Sequence, residues 1–188
     1  MSNASRAQTN PLIALPGSTI LAQIFWIAVF ALGTAAGARL EIPHQPVPYT
    51  LQTLVVLLSG AFLGSRNGAL SQILYLGAGI LGAPVFAGGA FGLTPFFGPT
   101  GGYLLAFPLA AAVVGALAPR GRSLVWAFAS MTGGLLVIFT SGTLYLYAKV
   151  MHDISAAFTS GFLIFSWWDL LKLGAAAMTY HEASKRRT

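Results

Sequence analysis

Six mostly apolar runs, each bounded by Gly, Pro or charge, fall at about 18–38, 49–64, 68–82, 100–118, 123–148 and 166–183. A helix needs about 20 apolar residues to cross the roughly 30 Å hydrocarbon core of a bilayer. Runs at this density leave no stretch long enough for a soluble catalytic domain. Only 7% of the residues are charged, against about a quarter in soluble domains. The pattern predicts an all-α integral membrane protein with six transmembrane helices. At about 16 residues each, the second and third helices reach only roughly 24 Å, so loops must fill the remaining depth.

The basic residues set an orientation, because Lys and Arg concentrate in cytoplasmic segments. With the N-terminus inside, Arg6, Arg66, Arg120, Arg122, Lys185, Arg186 and Arg187 fall on the cytoplasmic side, and only Arg39 and Lys149 fall outside. Both termini are therefore expected in the cytoplasm. The expected organisation is a tail over 1–17, a membrane domain over 18–183 and a basic tail over 184–188. The opening "MSNASRAQTNPLIALPGST" lacks the short apolar core and small-residue cleavage site of a signal peptide. Ten basic residues scattered in this way read as topology determinants rather than a nucleic-acid surface. The chain has no Cys, which removes disulfides, thiolate nucleophiles and thiolate metal sites.

The stretch "APVFAGGAFGLTPFFGPTGGY", residues 83 to 103, holds six Gly, three Pro and four Phe without a charge. Pro and clustered Gly break helices, yet the stretch is too apolar for a solvated loop. It is expected as an external loop between helices 3 and 4, covering an apolar pocket and bringing backbone N–H groups close to a ligand.

Ionisable residues inside a membrane helix are costly and mark candidate sites. In "FSWWDLLKLGAAAMTY", Ser166 and Asp169 have capping-box spacing, and Lys172 lies one turn beyond Asp169 on the same face. The pair is either a structural ion pair or a polar anchor for a ligand. Trp167 and Trp168 either stack on that ligand or mark the membrane interface, and Phe86 and Phe91 are further candidates for covering it. Gln52, Tyr75 and Tyr103 serve either helix packing or the pocket. In helix 1 the small residues Ala31 and Ala35, or Gly33 and Gly37, recur four apart, which permits close helix approach within the bundle or to a partner subunit.

Several catalytic patterns fail. "GAGILG" at Gly77, Gly79 and Gly82 lacks the strand and acid of a dinucleotide site and reads as helix packing. No phosphate-binding G-x-x-x-x-G-K-[ST] sequence occurs, so the chain cannot hydrolyse ATP by itself through such a loop. An intramembrane hydrolase has only Thr140 to Gly142 with His152 to offer, without a nucleophile-elbow pattern. A standalone secondary transporter would commonly show two repeated halves with matching broken helices, and no clear repeat is present.

At "PVPYTLQTLVVLLSGAFLG", "GAPVFAGG", "FGPTGGYLLAF" and "WDLLK" the chain resembles the BioY family, biotin-specific S components of energy-coupling factor (ECF) transporters, in the expected order from about residue 20 to 180. The resemblance implies a multi-pass subunit of a prokaryotic cell membrane that captures biotin from outside. Its implied partners are a transmembrane coupling (T) subunit and two cytoplasmic ATPases, with biotin as transported ligand and no catalytic cofactor or metal. It also implies that Asp169 and Lys172 occupy the binding positions, with Gln52, Tyr75, Phe86, Gly88, Gly89, Gly98, Thr100, Gly101, Gly102, Tyr103 and Trp168 around the pocket. The Ala31/Ala35 and Gly33/Gly37 face would meet the coupling subunit. The family often has Pro-Gly before the helix 6 acid, where this chain has Trp167 and Trp168. Biotin suits such a site chemically: Asp169 can accept ureido N–H bonds, while Lys172 can pair with the tail carboxylate or hold Asp169.

Overall fold

The computed structural model describes residues 19–121, 123–163 and 167–185. The expected 1–17 tail, Ser166, and the Arg6, Arg122, Arg186 and Arg187 of the charge count lie outside them. Thr19 caps the first helix, α1 (Ile20–Arg39), accepting from the Ala22 N–H. A short ribbon pairs β1 (Glu41–Ile42) antiparallel to β2 (Tyr49–Thr50), with Glu41 opposite Thr50. There follow α2 (Gln52–Ile80), α3 (Thr94–Phe97), α4 (Gly101–Leu117), α5 (Leu124–Leu146), α6 (Ile154–Ala157) and α7 (Trp167–Lys185).

Helix α2 is interrupted at Gly64, whose φ of 78° and ψ of 176° are not helical, a conformation that glycine adopts without a Cβ penalty. The chain then folds back on itself. Gln72 Nε2 donates to Ser59 Oγ at 3.0 Å, and Gln52 Nε2 donates to Tyr75 OH at 2.6 Å, so the arms 52–63 and 65–80 run antiparallel. The sequence placed this break at 65–67 and began the helix at 49. Residues 49 and 50 belong instead to the ribbon. The cause is local: Pro43, Pro46 and Pro48 stand just before this point, and Pro disfavours helix both at its own position and at the residue before it.

Four stretches among the described residues are long and apolar enough to cross a membrane: Ile20–Arg39, Gln52–Ile80, Gly101–Arg120 and Leu124–Met151. The surface carries large apolar side chains such as Leu21, Leu32, Leu105, Leu109, Val125 and Met178, while small residues crowd the interior, including Ala38, Ala61, Ala110, Ala111, Ala176 and Ala177. This inversion of soluble-protein composition suits helices whose outer face meets lipid and whose inner faces approach closely.

Polar contacts lock the inner faces. Thr34, Ser59, Ser71 and Gln72 are fully buried. The Gln72 amide donates to Ser59 Oγ and Ser71 Oγ, and its Oε1 lies 3.3 Å from Thr34 Oγ1, joining α1 to both arms of α2. Helix 1 uses its small residues within this packing: a Cβ on Gly37 would sit 3.0 Å from the Leu51 carbonyl carbon, and one on Gly33 would sit 3.3 Å from Val55 Cγ1. Ala31 is buried and Ala35 half-buried against the same core. Gly33 and Gly37 thus lie against the start of α2 within the chain.

Beyond Leu146, α5 continues as a π-helical turn (Tyr147–Met151), His152 turns the chain in the left-handed region, and Asp153 caps α6 before a second π turn (Phe158–Phe162). Ser141, a candidate nucleophile, donates to the Gly102 carbonyl at 3.0 Å and so serves helix packing.

Glycine packing gives a direct test. A Cβ on Gly60 would fall 2.2 Å from the Ala111 carbonyl oxygen, whereas one on Gly77 meets nothing within 4 Å. Gly60→Ala is expected to cost about 1–3 kcal/mol, read as a lower thermal-unfolding midpoint in detergent. Gly77→Ala should leave the midpoint unchanged or raise it slightly, because Ala favours helix over Gly.

Candidate ligand-binding site

Asp169 and Lys172 stand one turn apart near the start of α7, only 2% and 6% exposed. Lys172 Nζ lies 2.6 Å from Asp169 Oδ1. It also donates to the Thr50 carbonyl at 3.0 Å and to Thr53 Oγ1 at 2.8 Å. A lysine ammonium has three protons, and these partners account for all of them. The contacts tie α7 to the end of the ribbon and the first turn of α2.

Beside this clamp runs a chain of neutral polar groups. Thr50 Oγ1 donates to Gln52 Oε1 at 2.9 Å, Gln52 Nε2 donates to Tyr75 OH, and Tyr75 OH donates to the Val85 carbonyl at 3.3 Å. It carries the start of α2 across to its second arm and on to the Gly/Pro-rich loop. That loop has further tethers. Arg39 donates to the Pro84 carbonyl, and Glu41 Oε2 accepts from the Gly88 N–H at 2.9 Å. Phe86 is 2% exposed, its ring edge-on to Tyr75 and to Phe96 at 5.5 Å in each case. It sits where a Cβ on Gly79 would come within 2.1 Å of it, so the middle glycine of "GAGILG" serves to seat this ring.

The ribbon, the loop, α4, α5 and α7 enclose a cavity of about 770 Å³, within the range of small-molecule sites. Asp169, Lys172, Gln52, Thr50 and Thr53 form its polar patch, with Phe86, Phe107, Ile138, Phe139 and Tyr103 among its apolar wall. Tyr49 lines it as well. Burial, and then the negative charge of Asp169, push the Tyr49 phenol above its ordinary pKa. The arrangement can hold a small molecule that is largely apolar and carries a few hydrogen-bonding groups. Among the described residues no cluster of metal-ligating side chains occurs.

The model of the BioY family matches residues 6–188. The chain belongs to the BioY family. It is 42% identical over 156 residues to the biotin transporter BioY of Thermotoga maritima, covering 83% of this chain and 92% of that protein. It is 38% identical to the probable biotin transporter BioY of Pyrococcus horikoshii, again over 83% and 92% of the two chains. The biotin transporter BioY of Rhizobium etli is 32% identical over 85% of this chain and 88% of its own. The fold matches a crystal structure of the S-component for biotin from an ECF-type ABC transporter with a TM-score of 0.80 at 22% identity, covering 88% of this chain and 92% of that one.

In this BioY-family chain the residues singled out from sequence divide in two. Asp169, Lys172, Gln52, Phe86, Gly88, Gly98, Thr100 and Tyr103 line the cavity. Tyr75, Gly89, Gly101, Gly102 and Trp168 do not. Tyr75 stands behind Gln52 and orients its amide. Gly89 lies against the Arg39 guanidinium, Gly101 against the Phe96 carbonyl and Gly102 against Tyr145, so these glycines serve close packing. Trp168 adjoins Asp169 on α7, and adjacent helical positions point about 100° apart, so it is turned off the wall that Asp169 faces. Phe91 is 58% exposed and is not on the wall either.

Sequence reasoning missed the ribbon, which contributes Glu41, His44, Tyr49 and Thr50, and also missed Thr53. Their signal was present in "EIPHQPVPYT", where three prolines mark an ordered extended connection.

Removing one partner from a buried ion pair leaves an uncompensated charge. Lys172→Met is therefore expected to destabilise by about 3–5 kcal/mol, while Asp169→Leu combined with Lys172→Met should recover much of that loss. Chemical or thermal unfolding of the three proteins in detergent measures the difference.

Proposed function

We propose that this chain is the biotin-binding S component of an ECF-type vitamin uptake transporter. The carrying observation is the buried Asp169–Lys172 pair on the wall of a largely apolar cavity, capped by a tethered glycine-rich loop, in a chain whose BioY relatives bear the name of biotin transporters. Biotin's fused rings fit the Phe86, Phe107 and Phe139 wall, and its ureido N–H groups find an acceptor in Asp169. Lys172 keeps that carboxylate charged and aimed. The protein performs no chemistry on its ligand.

Six transmembrane passes follow when the two arms of α2 are each taken as a pass: α1, 52–63, 65–80, α4, α5 and α7. With both termini in the cytoplasm of a prokaryotic cell, the ribbon and the loop over 81–99 stand at the external face, where they receive biotin. A transmembrane coupling subunit and two cytoplasmic ATPases supply the energy, consistent with a chain that has no phosphate-binding loop of its own.

Calorimetry on the purified full-length protein tests this reading. Biotin is expected to bind, with thiamine and riboflavin giving no heat. Asp169→Asn should weaken biotin by about tenfold or more, equivalent to at least 1.4 kcal/mol, while the protein remains monodisperse. Equal binding of all three vitamins, or an unchanged affinity in Asp169→Asn, refutes it. Uptake by cells lacking the coupling subunit would refute the dependence on partners.

A further inference from the structure

The charges on the cavity wall do not accommodate a ligand carboxylate at Lys172. All three of its ammonium protons are taken by Asp169 Oδ1, the Thr50 carbonyl and Thr53 Oγ1. The wall carries a second carboxylate, Glu41. An anionic ligand entering here adds negative charge to a wall with two carboxylates and one committed ammonium. Arg39 does not compensate it from the wall, since its guanidinium is turned to the Pro84 carbonyl on the loop.

Among the described residues, the remaining wall side chain able to carry positive charge is His44. It lies in the connection between β1 and β2 and is exposed. Its ring packs on Tyr49, with centroids 4.8 Å apart and planes at 53°. Tyr49 is half-buried and feels the charge of Asp169, and Asp169 itself is fully buried. Along the cavity wall, burial thus falls in the order Asp169, Tyr49, His44. An imidazole donates an N–H whether neutral or protonated, and donates two when protonated.

We propose that His44 is the anchor for the ligand's acid group: with the ureido head on the buried Asp169, the tail carboxylate lies at the exposed part of the wall and accepts an N–H from His44. This rests on the biotin reading above. It assigns discrimination between the free acid and its neutral derivatives to the ribbon rather than to α7. Lys172 then acts on the ligand only through Asp169.

The test is a ligand-by-variant comparison on the full-length protein in detergent at neutral pH, titrating biotin and biotin methyl ester into wild type, His44→Ala and His44→Gln. Hydrogen bonds to charged groups are among the stronger ones, so wild type should prefer biotin to the ester by about tenfold or more. His44→Ala should bind biotin about tenfold more weakly and the ester within about twofold of wild type, erasing the preference. His44→Gln, which keeps an N–H donor without the charge, should retain an intermediate preference. The unchanged ester affinity doubles as the control for folding. An undiminished preference in His44→Ala overturns the assignment, as does an equal loss for both ligands, which marks a purely structural role. Failure of wild type to bind either compound would instead overturn the biotin reading itself.

Discussion

A protonated amine held by three acceptors organises the binding region of this protein. Lys172 Nζ joins α7 to residues 119 and 122 positions away in sequence, at Thr53 and Thr50. Desolvating the Lys172 and Asp169 charges is costly, and their attraction alone does little more than offset that cost. The pair's main effect is on geometry. An ammonium with three partners permits one placement of α7 against the ribbon and the start of α2, and with it one orientation of the Asp169 carboxylate toward the cavity. Loss of any partner leaves a buried charge less fully met, and the three contacts together tie the carboxylate to the ribbon end and the first turn of α2.

Around that clamp, hydrogen bonds to amides and hydroxyls do what hydrophobic burial does in a soluble domain. Lipid is as apolar as a protein interior, so helices in a membrane gain little by burying Leu against one another. Close contact through Ala and Gly, and satisfied polar links such as Thr34–Gln72–Ser59, fix the inner faces instead. The same device extends to the irregular segments. Tyr75, Arg39 and Glu41 each hold a backbone group of the loop, at Val85, Pro84 and Gly88, and Phe86 is seated over Gly79. Glu41 thereby joins the ribbon to the loop, and Thr50, Gln52, Asp169 and Lys172 beside them are buried.

Much of the site was readable because its signals are local. Asp169 and Lys172 are three apart, which places them on one helix face whatever the rest of the chain does. The loop's Gly, Pro and Phe content implied irregular, apolar, close-approaching backbone, and Phe86, Gly88 and Gly98 do line the cavity. The break in α2 was readable to within a residue or so from Gly64 and the polar Ser65, Arg66 and Asn67. Less readable was the division of labour among similar residues. Gly98 lines the cavity while Gly101, three positions later, lies against the Phe96 carbonyl.

Hydropathy, charge bias and short-range spacing were enough by themselves to determine an all-helical membrane chain with an ionisable pair on one helix face and a glycine-rich apolar loop. Each depends on which atoms lie within a turn or two along the chain. Tertiary structure alone decided that Lys172 spends its protons on Thr50 and Thr53 as well as on Asp169, that the Glu41–Thr50 ribbon forms a wall of the cavity, and that the small residues of α1 are covered by α2. Those are contacts between segments far apart in sequence, and no local pattern specifies which distant acceptor a buried donor will find. Only the packed bundle brings them within hydrogen-bonding distance.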